Sequence, residues 1–163
     1  MSRLFVPDNF EVPVEVRVGQ YVLRPLSEVY AEIDLAAVNS SLELIRETRG
    51  GSWPAREVSF AEDEGDLREH RNLFEHRSAF AYSVLSEDEK TCAGSVYINP
   101  PHHPFDDTDQ SSIPADADAA VSFWVSQRAY DKGFYPVLQR FVEQWLRQSW
   151  PFQKPFIVNK LKI

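Results

Sequence analysis

The feature that most constrains the fold is an apolar strand pattern that leads, through a short polar segment, into a glycine and an amphipathic helix. Residues 119–125 are apolar or small, with β-branched and aromatic side chains, as expected of a buried strand. Gly133 follows the polar segment, and Pro136 suits the first helical turn. The apolar positions that then recur at helical spacing are Val137, Leu138, Phe141, Val142, Trp145 and Leu146. This strand, glycine and helix predict an α/β unit.

A glycine at a helix N-terminus has a chemical consequence. Without a side chain, it lets an anion approach the exposed N–H groups at the positive end of the helix dipole. We therefore predict that residues 128–137 form a phosphate cradle around Gly133. Tyr135 is expected to narrow this cradle, and Pro136 removes one N–H donor from it.

The remaining patterns predict a central mixed, largely antiparallel sheet flanked by helices, an α/β fold of the α+β kind in one domain over residues 1–163. In chain order they indicate a strand over 15–25, a helix capped by Ser27, a helix over 42–47 ending at Gly50, a charged surface helix over 60–77, a β-hairpin over 79–100 and a last strand over 156–163. Residues 101–118, rich in proline and aspartate, are expected to form a long surface loop that contributes nothing to the core. This loop is either a lid near a site or a flexible segment without a functional role.

Charge and cysteine content exclude several classes of protein. The formal charge of −8 argues against a nucleic-acid partner, which would require clustered Lys and Arg. Cys92 is the single cysteine, so an internal disulfide and a cysteine-built zinc site are excluded, and we predict no metal site. The sequence contains neither a membrane-spanning apolar run nor a secretory signal, which predicts a cytoplasmic protein without a membrane partner.

Two segments carry a resemblance to a known family. Val121-Ser122-Phe123-Trp124-Val125, followed by Gln127-Arg128-Ala129-Tyr130-Asp131-Lys132-Gly133-Phe134, resembles the branch of the GNAT superfamily of N-acetyltransferases that modifies ribosomal-protein N-termini and antibiotics. The resemblance implies acetyl-CoA as co-substrate and transfer of acetyl to a small-molecule or peptide amine by direct attack. The cofactor-binding residues that it implies are Trp124, Val125, Arg128, Lys132, Gly133, Phe134 and Tyr135.

Acetyl transfer to an amine requires a base for the amine and a proton for the departing thiolate. The candidates are Tyr97 on the hairpin, His102 in the long loop and Ser122 on the apolar strand. His103 is a further candidate, but for both histidines the alternative is that they are exposed and have no catalytic role, as adjacent histidines in a proline-rich loop more often are.

The sequence also departs from the family pattern. Tyr135 stands where a small residue is usual, and the helix and hairpin that normally follow the last strand are missing. Either the chain is a piece of a longer one, or the apolar edge of the last strand pairs with a partner, for example in a homodimer. Two functional alternatives stay open: a degenerate GNAT fold that serves as a non-catalytic binding or assembly module, and an enzyme that uses a longer acyl donor.

Overall fold

The computed structural model describes residues 4–160, in which six strands form one sheet in the order β1-β2-β3-β4-β5-β6. The strands are β1 (Val16–Val18), β2 (Tyr21–Pro25), β3 (Phe80–Ser86), β4 (Cys92–Asn99), β5 (Ala119–Val125) and β6 (Pro155–Ile157). The helices are α1 (Ala31–Asn39), α2 (Leu42–Arg49), α3 (Phe60–Glu75), α4 (Gln127–Asp131) and α5 (Phe134–Ser149).

The first five strands pair antiparallel and β6 runs parallel to β5, which confirms the predicted mixed, largely antiparallel sheet. The amphipathic helix α5 packs on one face, against apolar side chains that include Phe123 and Val125. Helices α1, α2 and α3 cover the other face, where Tyr97 and Trp124 are buried. Because side chains alternate along a strand, Phe123 and Trp124 lie on opposite faces of the sheet.

The strand predicted over residues 15–25 is instead a hairpin of β1 and β2. Val18 pairs with Tyr21 across a turn at Gly19 and Gln20, and Gly19 adopts a positive φ of 59°. A two-residue turn of this kind favours glycine, because a side chain strains the left-handed conformation. The prediction of one strand was wrong because the turn is short enough to resemble a polar interruption of a single strand.

The helices on the second face begin and end close to the predicted residues. Ser27 caps a short 3-10 turn that leads into α1, and α2 ends at Gly50, whose φ is 107°. Helix α3 lies on the surface as predicted, with Leu67 of its apolar stripe buried, but Asp63 is buried on the same face, which the predicted solvated charges did not anticipate. Residues 63, 67, 70 and 74 follow the spacing of one helical stripe, and this stripe is directed to the interior.

The polar segment between β5 and Gly133 contains the short helix α4, which was not predicted. Ser126 caps α4 by accepting a hydrogen bond from the Ala129 N–H at 3.2 Å. The last strand was predicted over 156–163 and is shorter, because β6 ends at Ile157. Residues 161–163 of that prediction lie outside the described part of the chain. As an edge strand, β6 is the place where the predicted homodimer pairing would have to form.

Residues 101–118 form the predicted long loop, with one isolated bridge between Thr108 and Gly51 as its only regular pairing within the described chain. The expectation that this loop contributes nothing to the core was wrong, because Thr108 and Ile113 are buried. The loop folds back on the end of α2, where Asp107 binds Arg49 and the Asp109 N–H donates to the Gly50 carbonyl. None of the helices between residues 4 and 160 combines the length and the apolar character needed to span a membrane.

Candidate functional site

The junction of β5 and α5 is the place where the sequence predicts a phosphate cradle. Gly133 is the N-cap residue of α5, with a φ of 84°, and it is exposed. A Cβ built on Gly133 would meet no atom within 4 Å, so the space in front of the helix start is open. Arg128 and Lys132 are also exposed and line an adjoining groove of about 460 Å³. Glu87 and Asp88 line the same groove and balance these two charges, so it is the open helix start that suits an anionic group.

The edge of β5 that faces β6 is partly occupied by a side chain. Asn159 lies beyond the end of β6; its Oδ1 accepts the Phe123 N–H at 3.0 Å, and its Nδ2 donates to the Phe123 carbonyl at 2.9 Å. The same Nδ2 lies 2.9 Å from the Tyr135 hydroxyl. Val125 lies two residues further along the same strand edge. The side-chain amide of Asn159 therefore pairs with Phe123 in the way that the backbone of a neighbouring strand would.

The side chain of Tyr135 lies in the interior and not on the surface of α5. The side chain is fully buried, and its ring lies 5.0 Å from that of Phe123. Its bulk is directed into the interior, beside Asn159. Phe134 is buried as well and packs on Tyr21 at 4.5 Å, so both aromatic residues of this segment serve the core.

A cavity of about 240 Å³ lies on the α2 face of the sheet. It is bounded by α2, α3, β4 and the 101–118 loop, and we call it the Arg49 cavity. Its lining comprises Arg49, Trp53, Asp66, His70, Tyr97, Asn99, Phe105, Asp106 and Asp107.

Arg49 connects two of the predicted catalytic residues. Its Nε donates to the Ser122 hydroxyl at 3.3 Å, and its guanidinium carbon lies 4.5 Å from the centre of the Tyr97 ring. Tyr97 and Ser122 are direct neighbours across β4 and β5. The Tyr97 hydroxyl accepts the Trp124 indole N–H at 2.9 Å, and Asp107 binds Arg49 at 2.8 Å. Tyr97 and Ser122 are thus brought together, with Arg49 between them and the loop.

The two histidines of the loop are placed apart from this group. His102 is exposed, and its backbone N–H donates to Gln110. His103 accepts the Phe105 N–H at 3.1 Å and does not line the Arg49 cavity. His102 as a catalytic residue stays a prediction, and the geometry gives it less support than Tyr97 and Ser122.

The histidine that does line the cavity is His70 on α3. Burial, followed by the nearby Arg49 charge, lowers the pKa of His70 to about 4, so the ring is neutral at neutral pH. Burial, followed by the charges of Asp63 and Asp107, raises the pKa of Asp66 to about 6. Asp66 is exposed at the rim, so solvent screens its interactions. Burial also raises the pKa of Tyr97 above its ordinary value.

Two carboxyl groups meet between α1 and α3. Asp34 and Asp63 are both buried, and a hydrogen bond between them requires a proton on one of the two. Burial is the largest cause that raises the pKa of each, and the hydrogen bond with Asp63 raises the pKa of Asp34 further. The native state therefore retains protons that the unfolded chain has lost.

This pair predicts a specific pH dependence. A carboxyl group whose pKa is raised in the native state contributes stability that is complete below its ordinary pKa of 3.8 and is lost as the pH rises. The substitution Asp34→Asn should therefore gain stability relative to the wild type as the pH increases from about 4 to 8. Denaturant unfolding at several pH values measures this difference. Glu69→Gln, an exposed change on α3, is the control, and a pH-independent effect of Asp34→Asn would contradict the shared proton.

Several residues of the site were not found from the sequence. They are Arg49, Trp53, Asp66, His70, Asn99 and Asn159. One signal existed for His70, because it shares a helical stripe with buried Leu67 and half-buried Phe74, and a polar residue in such a stripe usually has a partner. Arg49 and Asn159 carry no local signal, since their partners are distant in the chain.

The sequence of the chain matches neither a protein-family model nor a curated protein. By structure it is similar to the ribosomal-protein-S5-alanine acetyltransferase of Vibrio fischeri, with a TM-score of 0.58, 14% identity and coverage of 83% of this chain and 68% of that one. RimL, a ribosomal L7/L12 α-N-protein acetyltransferase in complex with coenzyme A, gives 0.57 at 15% identity, covering 82% and 68%. The microcin C7 self-immunity acetyltransferase MccE, in complex with acetyl-CoA and AMP, gives 0.57 at 15%, covering 82% and 67%.

The chain therefore has the GNAT fold, as the resemblance of residues 121–134 predicts. At these identities the likeness is one of fold.

Proposed function

We propose that this protein is an acetyl-CoA-dependent N-acetyltransferase that transfers an acetyl group to a small-molecule or peptide amine. The observation that carries the proposal is the open helix start at Gly133 directly after β5, in a chain with the GNAT fold. The structural neighbours in complex with coenzyme A or acetyl-CoA support this choice of co-substrate. The net charge of −8 favours an amine over a nucleic acid as the other partner.

The residues present fit the donor at its phosphate end. Gly133 admits an anion to the N-terminus of α5, and Arg128 and Lys132 lie beside the groove with exposed charges. The edge of β5 at Phe123 and Val125 would hold the amide-containing arm by backbone pairing. At Phe123 this pairing requires the Asn159 amide to move away, because it now satisfies both backbone groups.

The acceptor side is the Arg49 cavity, on the face of the sheet opposite α5. The co-substrate, when bound, supplies a thioester whose acyl carbon an amine can attack. Ser122 and Tyr97 hold the Arg49 side chain against β5, and Asp107 holds it from the loop. These residues orient the acceptor side of the site, and the rings of Tyr97, His70 and Phe105 form one wall of it.

A second candidate function is supported by the same Asn159 contacts. If Asn159 keeps its place on β5, the fold serves as a non-catalytic binding or assembly module. Pro136 favours this alternative as well, because it removes one donor from the first turn of α5. The two candidates differ in whether acetyl-CoA binds at all.

Calorimetric titration of the chain with acetyl-CoA distinguishes them. We expect saturable binding that Gly133→Trp weakens by about 100-fold, because the indole fills the approach to the helix N-terminus. Gly133→Ala is the matched control. It carries the same strain at a φ of 84° but adds only a methyl group in open space, so its affinity should stay close to that of the wild type.

An absence of binding to the wild-type chain would reject the acetyltransferase proposal in favour of the binding module. Equal losses for Gly133→Trp and Gly133→Ala would place the effect in the backbone conformation instead of in a filled cradle. Binding that only the tryptophan variant loses would justify a screen of amine acceptors.

A further inference from the structure

The shape and walls of the Arg49 cavity indicate the kind of molecule that it can hold. Three rings form a row along one wall, because His70 lies 5.3 Å from Tyr97 and 5.0 Å from Phe105 between ring centres. A cavity of about 240 Å³ with such a wall suits a small, flat organic body. His70 is neutral at neutral pH, so the row itself does not repel a cation.

The charges around the cavity are predominantly negative. Asp66, Asp106 and Asp107 line it, and Arg49 is the one cation among the lining residues that the structure describes. Arg49 is engaged by Asp107, whereas Asp66 forms no hydrogen bond or ion pair within residues 4–160. The unbalanced carboxylates favour a positively charged ligand.

A buried amide in the cavity wall is available for a ligand. Asn99 is only 7% exposed and lines the cavity, yet its side chain forms no hydrogen bond with another residue of the described chain. Its unpaired amide atoms are not fully buried, so they are accessible from the cavity that Asn99 lines. Its oxygen can accept an ammonium proton, and its nitrogen can donate to a hydroxyl group.

From these observations we infer that the Arg49 cavity selects a primary amine, in its cationic form, that carries a small flat body. The planes of His70 and Phe105 are nearly perpendicular, at 83°, so the flat body stacks on one of these rings and meets the other edge-on. The ammonium group is held by Asp66, with the Asn99 amide as a further partner. This inference rests on the proposed function, for which it names the class of acceptor. It concerns equilibrium binding of the amine, which can be measured without the acyl donor.

The experiment is a calorimetric titration with three compounds of similar shape: tyramine as the cation, 4-ethylphenol as the neutral analogue and 4-hydroxyphenylacetate as the anion. We expect tyramine to bind about tenfold more tightly than either of the others, as one close charge interaction in a partly exposed site allows. Asp66→Asn should remove most of this preference and leave the affinity for 4-ethylphenol unchanged. Glu69→Gln, an exposed change on the same helix, should leave all three affinities unchanged.

Equal affinities for the three compounds, no binding of tyramine, or a tyramine preference that survives Asp66→Asn would each overturn the inference. Titration with acetyl-CoA in parallel separates this outcome from a failure of the proposed function. Tyramine selectivity without acetyl-CoA binding leaves the cavity as a cation site in a non-catalytic protein. Acetyl-CoA binding without tyramine selectivity leaves an acyltransferase with another kind of acceptor.

Discussion

The substitution Asn159→Ala is expected to lower the free energy of unfolding by about 2–4 kcal/mol, because it leaves two buried backbone groups of Phe123 without their partner. It is also expected to strengthen the binding of acetyl-CoA by about tenfold or more, since the donor no longer has to displace the Asn159 amide from the edge of β5. A denaturant titration gives the first quantity, and calorimetry gives the second.

The chain provides a closely matched control. Asn39, at the end of α1, makes the same pair of hydrogen bonds with Val58: its Oδ1 accepts the Val58 N–H at 2.8 Å, and its Nδ2 donates to the Val58 carbonyl at 2.9 Å. Asn39→Ala should destabilise the fold by about 1–2 kcal/mol, less than Asn159→Ala because the position is only half-buried. It should not change the affinity for acetyl-CoA, because Val58 lies outside the proposed donor site.

A lower stability together with a higher acetyl-CoA affinity in Asn159→Ala would support a donor that replaces the side-chain amide on β5. The acetyl-CoA affinity of Asn39→Ala should then equal that of the wild type. If Asn159→Ala destabilises the chain and leaves acetyl-CoA binding unchanged, then Asn159 has a structural role only and the donor does not replace it on β5. If neither the wild type nor Asn159→Ala binds acetyl-CoA, the result favours the binding module.

The second large effect is expected at Gly94 in β4. A Cβ at this position would lie 2.1 Å from the Trp124 carbonyl oxygen. Rotation of a side chain cannot relieve this clash, because the obstacle is the backbone of β5. Gly94→Ala should therefore separate β4 from β5 and lower the free energy of unfolding by about 3 kcal/mol or more. Thermal and denaturant unfolding measure the loss.

Gly65→Ala is the control for Gly94→Ala. Gly65 lies inside α3, where an added Cβ meets nothing within 4 Å. Alanine has the higher helix propensity, so this change should raise stability by about 0.5–1 kcal/mol. A Gly94→Ala variant as stable as the wild type would contradict the close approach of β4 and β5. Because Tyr97 and Ser122 are neighbours across these strands, a separation there should also disturb the Arg49 cavity.

Where the sequence pattern is short and local, it predicted the structure well. The hairpin of β3 and β4, the strand β5 and the start of α5 at Gly133 were all anticipated from side-chain periodicity and one glycine. The errors fell where periodicity is ambiguous, as in the β1–β2 hairpin, or where polar residues lie on a buried face, as for Asp63 and His70 on α3.

The strand, glycine and helix unit around Gly133 can be predicted from the sequence alone, because each part depends on residues that are close together in the chain. The set of residues that forms the site follows only from the tertiary structure. Arg49 reaches Ser122 from 73 residues away and Asp107 from 58, and Asn159 reaches Phe123 from 36. Such contacts depend on strand register and on which helical face turns inward, and both are fixed by the packing of the whole sheet against its helices.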